Sequence, residues 1–363
     1  MEDETMTRVT HILGGWSPNI GNAFFQLGGY HVLKSVLPDA TFSFINEKPG
    51  YPQYWNPRGG NPRDYFDMAA AIKSDYLVLM GPMFRPETMD IWGKSLEKII
   101  SQGTQLIYLG VGAMRYEPEY LEQYRAFLRK FKPYLFVSRD DESFKKLGDL
   151  AQYAYNGIDL AFFIPDFYPL AGFANLPPYV AINFDKIPEP EFTVLPEGSF
   201  IPESQKKARQ FTFNDQTWIV NQEHWRTRLA RRSRYLMLLE SLLFKGNQAK
   251  MIGEYPVIRT DHRYTPIIGR RTYRYPNVMV NDTPYPYFEI YGNAELILSD
   301  RLHACVMGLA YGRTAMVFSE SPRLRLLERF NIPEITSRPA SIDPALLRME
   351  KESLVDFLKL HLK

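Results

Sequence analysis

The sequence predicts an α/β protein made of two doubly wound domains that face a cleft. Short apolar runs alternate with amphipathic helical segments, which is the pattern of parallel strands covered by helices on both faces. The alternation occurs in two series, separated by a stretch with four prolines between residues 165 and 178. The length of 363 residues suits two domains of ordinary size.

The N-terminal series starts with a short apolar strand and a glycine-rich turn. Apolar runs of strand length predict strands over residues 10–13, 41–45, 76–80, 105–109 and 134–138. Helical periodicity predicts helices over residues 21–36, 86–101 and 118–132. Residues 51–63 are rich in Pro, Gly and Asn, and we expect a loop there.

The C-terminal series follows the proline-rich stretch. The same criteria predict strands over residues 179–184, 249–252, 295–298 and 314–318, and helices over residues 223–244, 301–311, 322–330 and 343–362. Residues 186–214 contain four prolines and are expected to be an irregular excursion. The predicted division is an N-terminal domain over 1–170, a C-terminal domain over 171–340 and a final helix over 341–363.

The composition narrows the class of protein. A net charge of +2 gives no support for a nucleic-acid partner. A single cysteine, Cys305, excludes a disulfide or a cysteine zinc site within one chain, and it is expected to pack in the core rather than act as a nucleophile. The N-terminus lacks the features of a signal peptide, and no apolar run is long enough to span a membrane. We expect a cytoplasmic protein.

The strongest chemical motif lies where a predicted strand meets a predicted helix. The strand runs into Ser299 and Asp300, which are good helix N-cap residues, and Arg301 and His303 follow in the first helical turn. Free backbone N–H groups and the helix dipole favour an anion there, and a guanidinium and an imidazole add to this preference. The alternative is that Asp300 and Arg301 form a surface ion pair and that His303 lies in the core with its hydrogen bonds made.

A second motif repeats this arrangement in the N-terminal series. The strand that ends at residue 138 leads into Arg139, and ligands in doubly wound folds bind at such carboxyl ends. The alternative is a plain helix start, in which Asp140, Asp141 and Glu142 complement the helix dipole.

The third motif is the glycine-rich turn over residues 14–22, after the first strand. Its glycines allow a ligand to approach the backbone closely, although a plain turn is the alternative. The spacing is not that of a dinucleotide fingerprint. Aromatic side chains of this turn and of the loop at 51–63 could stack on sugar rings, namely Trp16, Tyr51, Tyr54 and Trp55.

Three further features of the sequence carry weaker signals. The predicted helix over 223–244 carries five arginines, which form either a solvated basic face or a surface for a membrane or a phosphorylated lipid carrier. These are Arg226, Arg228, Arg231, Arg232 and Arg234. Residues 159–162 are interpreted as an interdomain strand, and His262 and Arg263 fall in a loop.

Four segments, taken in order, resemble the polysaccharide pyruvyl transferase family. They are similar to its N-x-G-D opening, its R-D segment, its D-x-A-F element and its S-x-R-L-H segment, and they lie at residues 19–22, 137–143, 159–162 and 298–304. Gly312 and Val317 follow as in the family's next strand. The sequence departs from the family in having Asn22 for Asp, only Gly81 and Pro82 for a glycine cluster, and Arg323 for a common lysine.

The resemblance implies a GT-B-like fold of two Rossmann-like domains. It also implies transfer of an enolpyruvyl-derived group from phosphoenolpyruvate to two hydroxyls of a sugar, which forms a pyruvate ketal and releases phosphate. The donor-binding candidates are Arg139, Arg301, Leu302 and His303, joined by Ser299 and Arg323. The weaker acceptor-binding candidates are Trp16, Asn19, Gly21 and Asn22.

The chemistry of these side chains suits that donor. Two arginines and a helix N-terminus can neutralise both the carboxylate and the phosphate of phosphoenolpyruvate. The reaction needs a proton on the methylene carbon, so His303 is the candidate general acid, or else it assists phosphate departure, and Arg139 is the second catalytic candidate. Arg323 is expected to close on the phosphate. No cofactor or metal is expected, and the partner is a sugar or a lipid-linked oligosaccharide.

Two other functions stay open at this point. One is a nucleotide-sugar glycosyltransferase of similar fold, for which Glu320 is the candidate ribose- or base-reading carboxylate. The other is a non-catalytic scaffold, against which the joint presence of Arg139, Arg301 and His303 argues. Oligomeric state and peripheral membrane contact are left undecided.

Overall fold

The structure is a computed structural model, and it describes residues 6–16, 18–47, 49, 66–205, 208–222, 224–244, 248–263, 272 and 275–362. The predicted loop over 51–63, with its three aromatic residues, lies outside these ranges. So do the side chains of Arg231 and Arg234.

Six parallel strands form the first sheet. They are β1 (Arg8–Ile12), β2 (Thr41–Ile45), β3 (Tyr76–Phe84), β4 (Gln105–Ala113), β5 (Leu135–Ser138) and β6 (Tyr153–Asn156), in the spatial order β2-β1-β3-β4-β5-β6. Their connecting helices are α1 (Gly21–Val36), α2 (Met68–Ala71), α3 (Pro86–Ser101), α4 (Pro118–Phe131) and α5 (Asp141–Leu147). A proline at the first helical position starts both α3 and α4, where its missing N–H costs nothing.

Residues 159–162 do not form the predicted interdomain strand. They open a 3₁₀-helix, Leu160–Asp166, because the Asp159 side chain accepts a hydrogen bond from the Ala161 N–H at 3.0 Å. Asp is a preferred residue at such helix starts, since its carboxylate satisfies an N–H that the helix itself leaves unpaired. This cap holds Asp159 at the junction between the two sheets.

The rest of the chain adds nine strands and five α-helices within the described residues. In chain order these are β7 (Val180–Asn183), β8 (Glu191–Leu195), β9 (Arg209–Phe213), β10 (Gln216–Asn221), α6 (His224–Arg232), α7 (Arg234–Leu243), β11 (Met251–Ile252), β12 (Tyr255–Thr260), β13 (Val278–Met279), α8 (Tyr285–Asn293), β14 (Leu296–Ser299), α9 (Leu302–Ala310), β15 (Thr314–Val317) and α10 (Pro344–His361). Two further 3₁₀-helices cover Pro322–Phe330 and Pro333–Thr336.

The second sheet has the order β11-β12-β7-β14-β15, with β13 beside β12. All its pairings are parallel except that of β11 with β12. The predicted α/β class, with two Rossmann-like units in a GT-B-like arrangement, is therefore confirmed. The carboxyl ends of β5, β7, β12 and β14 supply the residues of the candidate site.

The predicted irregular excursion over 186–214 is wrong in part. Two of its segments are β8 and β9, which pair with β10 in an antiparallel sheet of three strands. Trp218 on β10 stacks on Phe211 with ring centroids 5.6 Å apart and is fully buried. The strands therefore have an apolar face to bury, whereas the four prolines that suggested an irregular segment lie before β8 or between β8 and β9.

The predicted long helix over 223–244 is two helices, α6 and α7. Ser233 has an extended backbone between them, and its hydroxyl accepts a hydrogen bond from the Leu236 N–H at 3.1 Å. A serine cap of this kind starts a new helix where periodicity alone suggests a continuous one. None of the described helices is both long and apolar enough to cross a membrane.

One continuous apolar core joins the two sheets. Phe24 of α1 packs edge-on against Phe288 of α8, with ring centroids 5.3 Å apart. Gly28 of α1 lies so close to the 3₁₀-helix that a Cβ there would stand 1.9 Å from the Leu160 carbonyl oxygen. The Ile20 N–H also donates to the His262 carbonyl at 2.7 Å, which ties the turn before α1 to the end of β12.

Candidate active site

The first half of the candidate site is built around Arg301, which follows β14 and caps α9. Its backbone N–H donates to the Ser299 hydroxyl at 2.8 Å, and its guanidinium Nε donates to Asp185. The Nη2 atom of Arg301 is buried and has no hydrogen-bond partner among the described residues. A buried, unpaired guanidinium nitrogen carries a large desolvation cost, so this atom is a ready binding point for an anion.

Ser299 and Asp300 have different roles from the predicted helix caps. The Ser299 side chain is fully buried and lies 3.1 Å from the carbonyl of Asn183, so it positions Arg301. Asp300 is also fully buried, and its carboxylate accepts the N–H groups of Lys186 and Ile187, both at 2.8 Å. The alternative of a surface Asp300–Arg301 ion pair is therefore wrong.

The second half of the site is a carboxylate shared by both sheets. Asp159 Oδ2 accepts hydrogen bonds from Arg139 Nη1 at 3.1 Å and from His303 Nε2 at 3.3 Å. Arg139 follows β5 in the first sheet, and His303 lies in the first turn of α9. Burial alone would raise the Asp159 pKa, but His303 and Arg139 together hold it at about 2.

The surroundings of His303 favour its neutral form. Burial lowers its pKa, and the Asp159 carboxylate only partly opposes this. Because a carboxylate can only accept, the bond to Asp159 fixes the proton on Nε2. The Nδ1 atom is then the one that gains or loses a proton.

Further cations converge on the same cleft. Arg323 lies on the 3₁₀-helix after β15, and its Nε is 3.2 Å from the sulfur of Met114, which follows β4 of the first sheet. Burial and the charges of Arg139, Arg85 and Arg301 lower the Arg323 pKa to about 9.

Lys186 adds another positive charge beside Arg301. Its Nζ donates to the Asp300 carbonyl at 3.3 Å, and burial together with Arg301 lowers its pKa to about 8. The mutual repulsion of these cations is relieved when an anion enters, so the electrostatics select a strongly anionic ligand.

Of the predicted acceptor residues, Gly21 lies next to the donor motif, and Trp16, Asn19 and Asn22 bond within the same N-terminal segment. Gly21 starts α1, and a Cβ built on it would stand 3.1 Å from His262 Nδ1 and 3.1 Å from the His303 Cβ. Asn19 donates from Nδ2 to the Asn22 side chain at 3.0 Å. Trp16 is half-buried, and its indole N–H donates to Gln26 at 2.6 Å. Gly21, at the start of α1, therefore lies against the His303 side chain.

The remaining predicted residues lie around this centre. Leu302, the first residue of α9, is buried in the core. Cys305 is fully buried, and burial raises the pKa of its thiol. Glu320, the candidate carboxylate of a nucleotide-sugar site, is exposed. Within the described ranges, no group of three His, Cys, Asp or Glu side chains is placed to hold a metal ion.

Sequence reasoning missed Asp185 and Lys186 and gave His262 no role. Asp185 accepts from both Arg301 and the His262 N–H, the latter at 3.2 Å. All three residues follow the carboxyl ends of β7 and β12. The rule that ligands gather at the carboxyl ends of parallel strands could have found them once those strands were recognised.

No curated protein matches this chain. Solved structures similar to it include the UDP-GlcNAc 2-epimerase of Methanocaldococcus jannaschii in complex with UDP-GlcNAc and UDP, at 11% identity, a TM-score of 0.46, and coverage of 98% of this chain and 93% of that one. The UDP-N-acetylglucosamine 2-epimerase of Rickettsia bellii has 11% identity and a TM-score of 0.45, and the match covers 97% of this chain and 88% of that one.

The family model described as polysaccharide pyruvyl transferase matches residues 19–322. This match runs from the turn before α1 to the start of the 3₁₀-helix that carries Arg323. It includes the Asp159 junction and the strand-to-helix site at Arg301 and His303. The chain therefore belongs to the polysaccharide pyruvyl transferase family and is a transferase.

Proposed function

We propose that the protein transfers the enolpyruvyl-derived group of phosphoenolpyruvate to two hydroxyls of a sugar in a glycan, forming a pyruvate ketal. The observation that carries this proposal is the unpaired, buried Nη2 of Arg301 within a group of converging cations. Phosphoenolpyruvate places a carboxylate and a phosphate on three carbons. The proposal assigns these anionic groups to Arg301, Arg139, Arg323 and Lys186, since planar guanidinium groups match both.

In the proposed mechanism, His303 supplies the proton that starts the reaction. A bound dianion raises the pKa of the nearby imidazole, so Nδ1 takes up a proton as the donor binds. That proton passes to the methylene carbon of phosphoenolpyruvate, and C2 becomes the electrophile. Asp159 stays ionised and stabilises the imidazolium while it exists.

The remaining proposed steps are the addition of two sugar hydroxyls to C2 and the departure of phosphate. The first sugar hydroxyl adds to C2, and its proton returns to the His303 Nδ1. The C2–O bond to phosphate then breaks, and the phosphate leaves with its electron pair toward the cations. The second hydroxyl attacks C2, and its proton leaves with the phosphate. The products are a cyclic ketal and inorganic phosphate.

The donor assignment is tested by titration calorimetry of the whole chain with phosphoenolpyruvate and with UDP-sugars. We expect phosphoenolpyruvate to bind, and Arg301→Lys to weaken it about tenfold or more, since a point charge cannot replace a planar fork. Arg129→Lys, on the exposed face of α4, is the matched control. Binding of UDP-sugars without phosphoenolpyruvate would overturn the assignment in favour of a glycosyltransferase.

The catalytic assignment is tested by phosphate release from phosphoenolpyruvate in the presence of a glycan panel. His303→Ala should lower the rate at least a hundredfold while donor binding remains, because general acid catalysis contributes that much. His361→Ala, near the end of α10, is the control. Equal rates in the wild type and His303→Ala would remove His303 from the mechanism.

We also propose that the acceptor is lipid-linked and that α6 and α7 contact the membrane that carries it. Residues 224–243 contain five arginines and one carboxylate, Glu240, which already binds Arg226 at 2.8 Å. Four large apolar side chains on α7 are exposed, namely Tyr235, Leu239, Leu242 and Leu243. Basic helices with exposed apolar residues suit an anionic lipid surface, whereas a symmetric contact between two copies would oppose like charges.

Co-sedimentation with vesicles tests this contact. The protein should bind vesicles of phosphatidylcholine mixed with phosphatidylglycerol, bind neutral phosphatidylcholine vesicles weakly, and detach as salt rises. Replacing Leu242 and Leu243 by Gln should abolish binding, whereas Leu360→Gln, an equally exposed leucine on α10, should not. A lipid-independent dimer that the paired substitution dissolves would show that α6 and α7 bind a second copy instead.

A further inference from the structure

A polar cavity lies near Arg323, between the loops after β3 and β4. Its volume is about 470 Å³, and its lining residues are Arg85, Pro86, Glu87, Met114, Arg115, Tyr120 and Tyr124. Met114 joins the cavity to Arg323, because its sulfur is the atom that contacts Arg323 Nε at 3.2 Å. The cavity thus opens beside the cation that the proposed function assigns to the donor.

The cavity has an unused hydrogen-bonding group in its wall. Tyr124 is fully buried, and its hydroxyl has no hydrogen-bond partner among the described residues. A buried hydroxyl without a partner costs about 1–3 kcal/mol, so its position needs a reason other than the stability of the fold. A ligand with hydroxyl groups would satisfy it.

The cavity is also positively charged. Arg85 and Arg115 contribute two guanidinium groups against the single carboxylate of Glu87. Arg85 is the N-cap residue of the sixteen-residue helix α3, whose first turn has no side-chain cap. The positive end of that helix dipole therefore adds to the arginines. Arg115 is itself held in place, because its Nη1 donates to the Tyr120 hydroxyl and its guanidinium lies 4.5 Å from the Tyr120 ring centroid.

We infer that this cavity binds the acceptor through a negatively charged group on a sugar, with Arg115 and Arg85 holding the anion and Tyr124 a sugar hydroxyl. The inference rests on the proposed function, which places the donor beside Arg323. The anion has one of two chemical sources, the phosphate of a phosphorylated sugar or the carboxylate of a uronic acid. Both match a guanidinium, and both leave the ring hydroxyls free to face the donor.

Ligand-observed NMR tests this without any turnover. Glucose 1-phosphate, glucuronate and glucose are each titrated into the whole chain at saturating phosphoenolpyruvate. We expect at least one of the two anionic sugars to bind about tenfold or more tightly than glucose, and the tighter of them identifies the source of the anion. The inference would be overturned if glucose bound as tightly as both anionic sugars.

Variants then locate the binding. Arg115→Met should weaken the anionic probe about tenfold, whereas Arg129→Met, an exposed arginine on α4, should leave it unchanged. Tyr124→Phe should weaken it several-fold without lowering the unfolding temperature, because the native hydroxyl has no partner to lose. Unchanged affinity in Arg115→Met would overturn the location. If phosphoenolpyruvate itself fails to bind, the proposed function fails, yet the probes alone still report on the cavity.

Discussion

At the scale of single residues, Asp159 is the centre of the candidate site. Its Oδ2 atom accepts hydrogen bonds from Arg139 and His303, and its Oδ1 atom caps the 3₁₀-helix Leu160–Asp166. The buried carboxylate keeps its charge because both partners donate to it. It therefore fixes the tautomer of His303. It also raises the His303 pKa, which partly offsets the lowering caused by burial.

Asp159→Asn should change the pH dependence of catalysis. The carboxylate raises the His303 pKa, so its removal lowers that pKa further. If His303 acts as an acid, the pH above which the rate falls will move downward, and the rate at pH 7 should drop about a hundredfold. Steady-state rates across the pH range measure this. Asp149→Asn, whose carboxylate pairs with Arg125 at the surface, should keep the wild-type profile; an unshifted profile in Asp159→Asn would contradict the assignment.

Lys186 should take up protons as the donor binds. Its pKa of about 8 is low because burial and Arg301 disfavour its charge, and a bound dianion will raise it. At pH 8 part of the lysine population is neutral, so binding should draw protons from the buffer. Calorimetry in buffers of different ionisation enthalpy measures this uptake. Lys186→Met should reduce it, and an unchanged uptake in that variant would assign the protons to another group.

At the scale of elements, the start of α1 packs closely against two histidines. A methyl group on Gly21 would crowd both, since it would stand 3.1 Å from His262 Nδ1 and 3.1 Å from the His303 Cβ. The turn before α1 is fixed by the hydrogen bond from the Ile20 N–H to the His262 carbonyl. If His303 acts as proposed, a small displacement of its side chain should slow the reaction, because catalysis is sensitive to changes well below 1 Å.

Gly21→Ala should therefore lower turnover about tenfold while the fold stays intact. Gly93→Ala is its control, because Gly93 lies within α3 and a Cβ there meets nothing within 4 Å. That control should gain about 0.5–1 kcal/mol of stability from better helix propensity and keep full activity. Phosphate release and urea unfolding measure the two effects. Full activity in Gly21→Ala would show that the imidazoles tolerate the methyl group.

The elements also show what the sequence could and could not predict. Apolar runs predicted β5, β14 and β15 to within one residue at each end, because each of these strands is a short, mostly apolar segment. They missed β12 and α8, where tyrosines and an arginine interrupt the apolar pattern. Arg259 of β12 is fully buried and pairs with Glu189 at 2.8 Å. Such a residue signals exposure in the sequence, and only its distant partner reveals the burial.

The candidate site was predictable to a similar degree. The motifs identified Arg139, Arg301 and His303, because each follows a recognisable strand end. They gave no sign that Arg301 binds Asp185 or that His303 shares Asp159 with Arg139, since these pairs are separated by at least 20 residues along the chain. Pairings of this kind depend on how the two sheets pack together, which local patterns do not encode.

At the scale of the whole molecule, the two sheets should unfold together. The core is continuous between them, and Phe24 of the first sheet's helix packs among Phe288, Tyr287 and Tyr291 of α8. Domains that share so much apolar surface lose it together, so calorimetry should show one transition. Phe24→Ala should lower the free energy of unfolding by about 3–5 kcal/mol. Two separate transitions in the wild type would contradict the shared core.

The hydrogen bond from the Ile20 N–H to the His262 carbonyl has a consequence for how fast ligands arrive. The bond joins the turn before α1 to the end of β12, and the shared core lies directly behind it. A hinge motion between the two sheets would have to break this hydrogen bond and separate the shared core. Donor entry should therefore follow a single bimolecular relaxation in stopped-flow experiments, with a rate linear in donor concentration and no slow closing phase. A preformed cleft of this kind loses little conformational entropy when it fills.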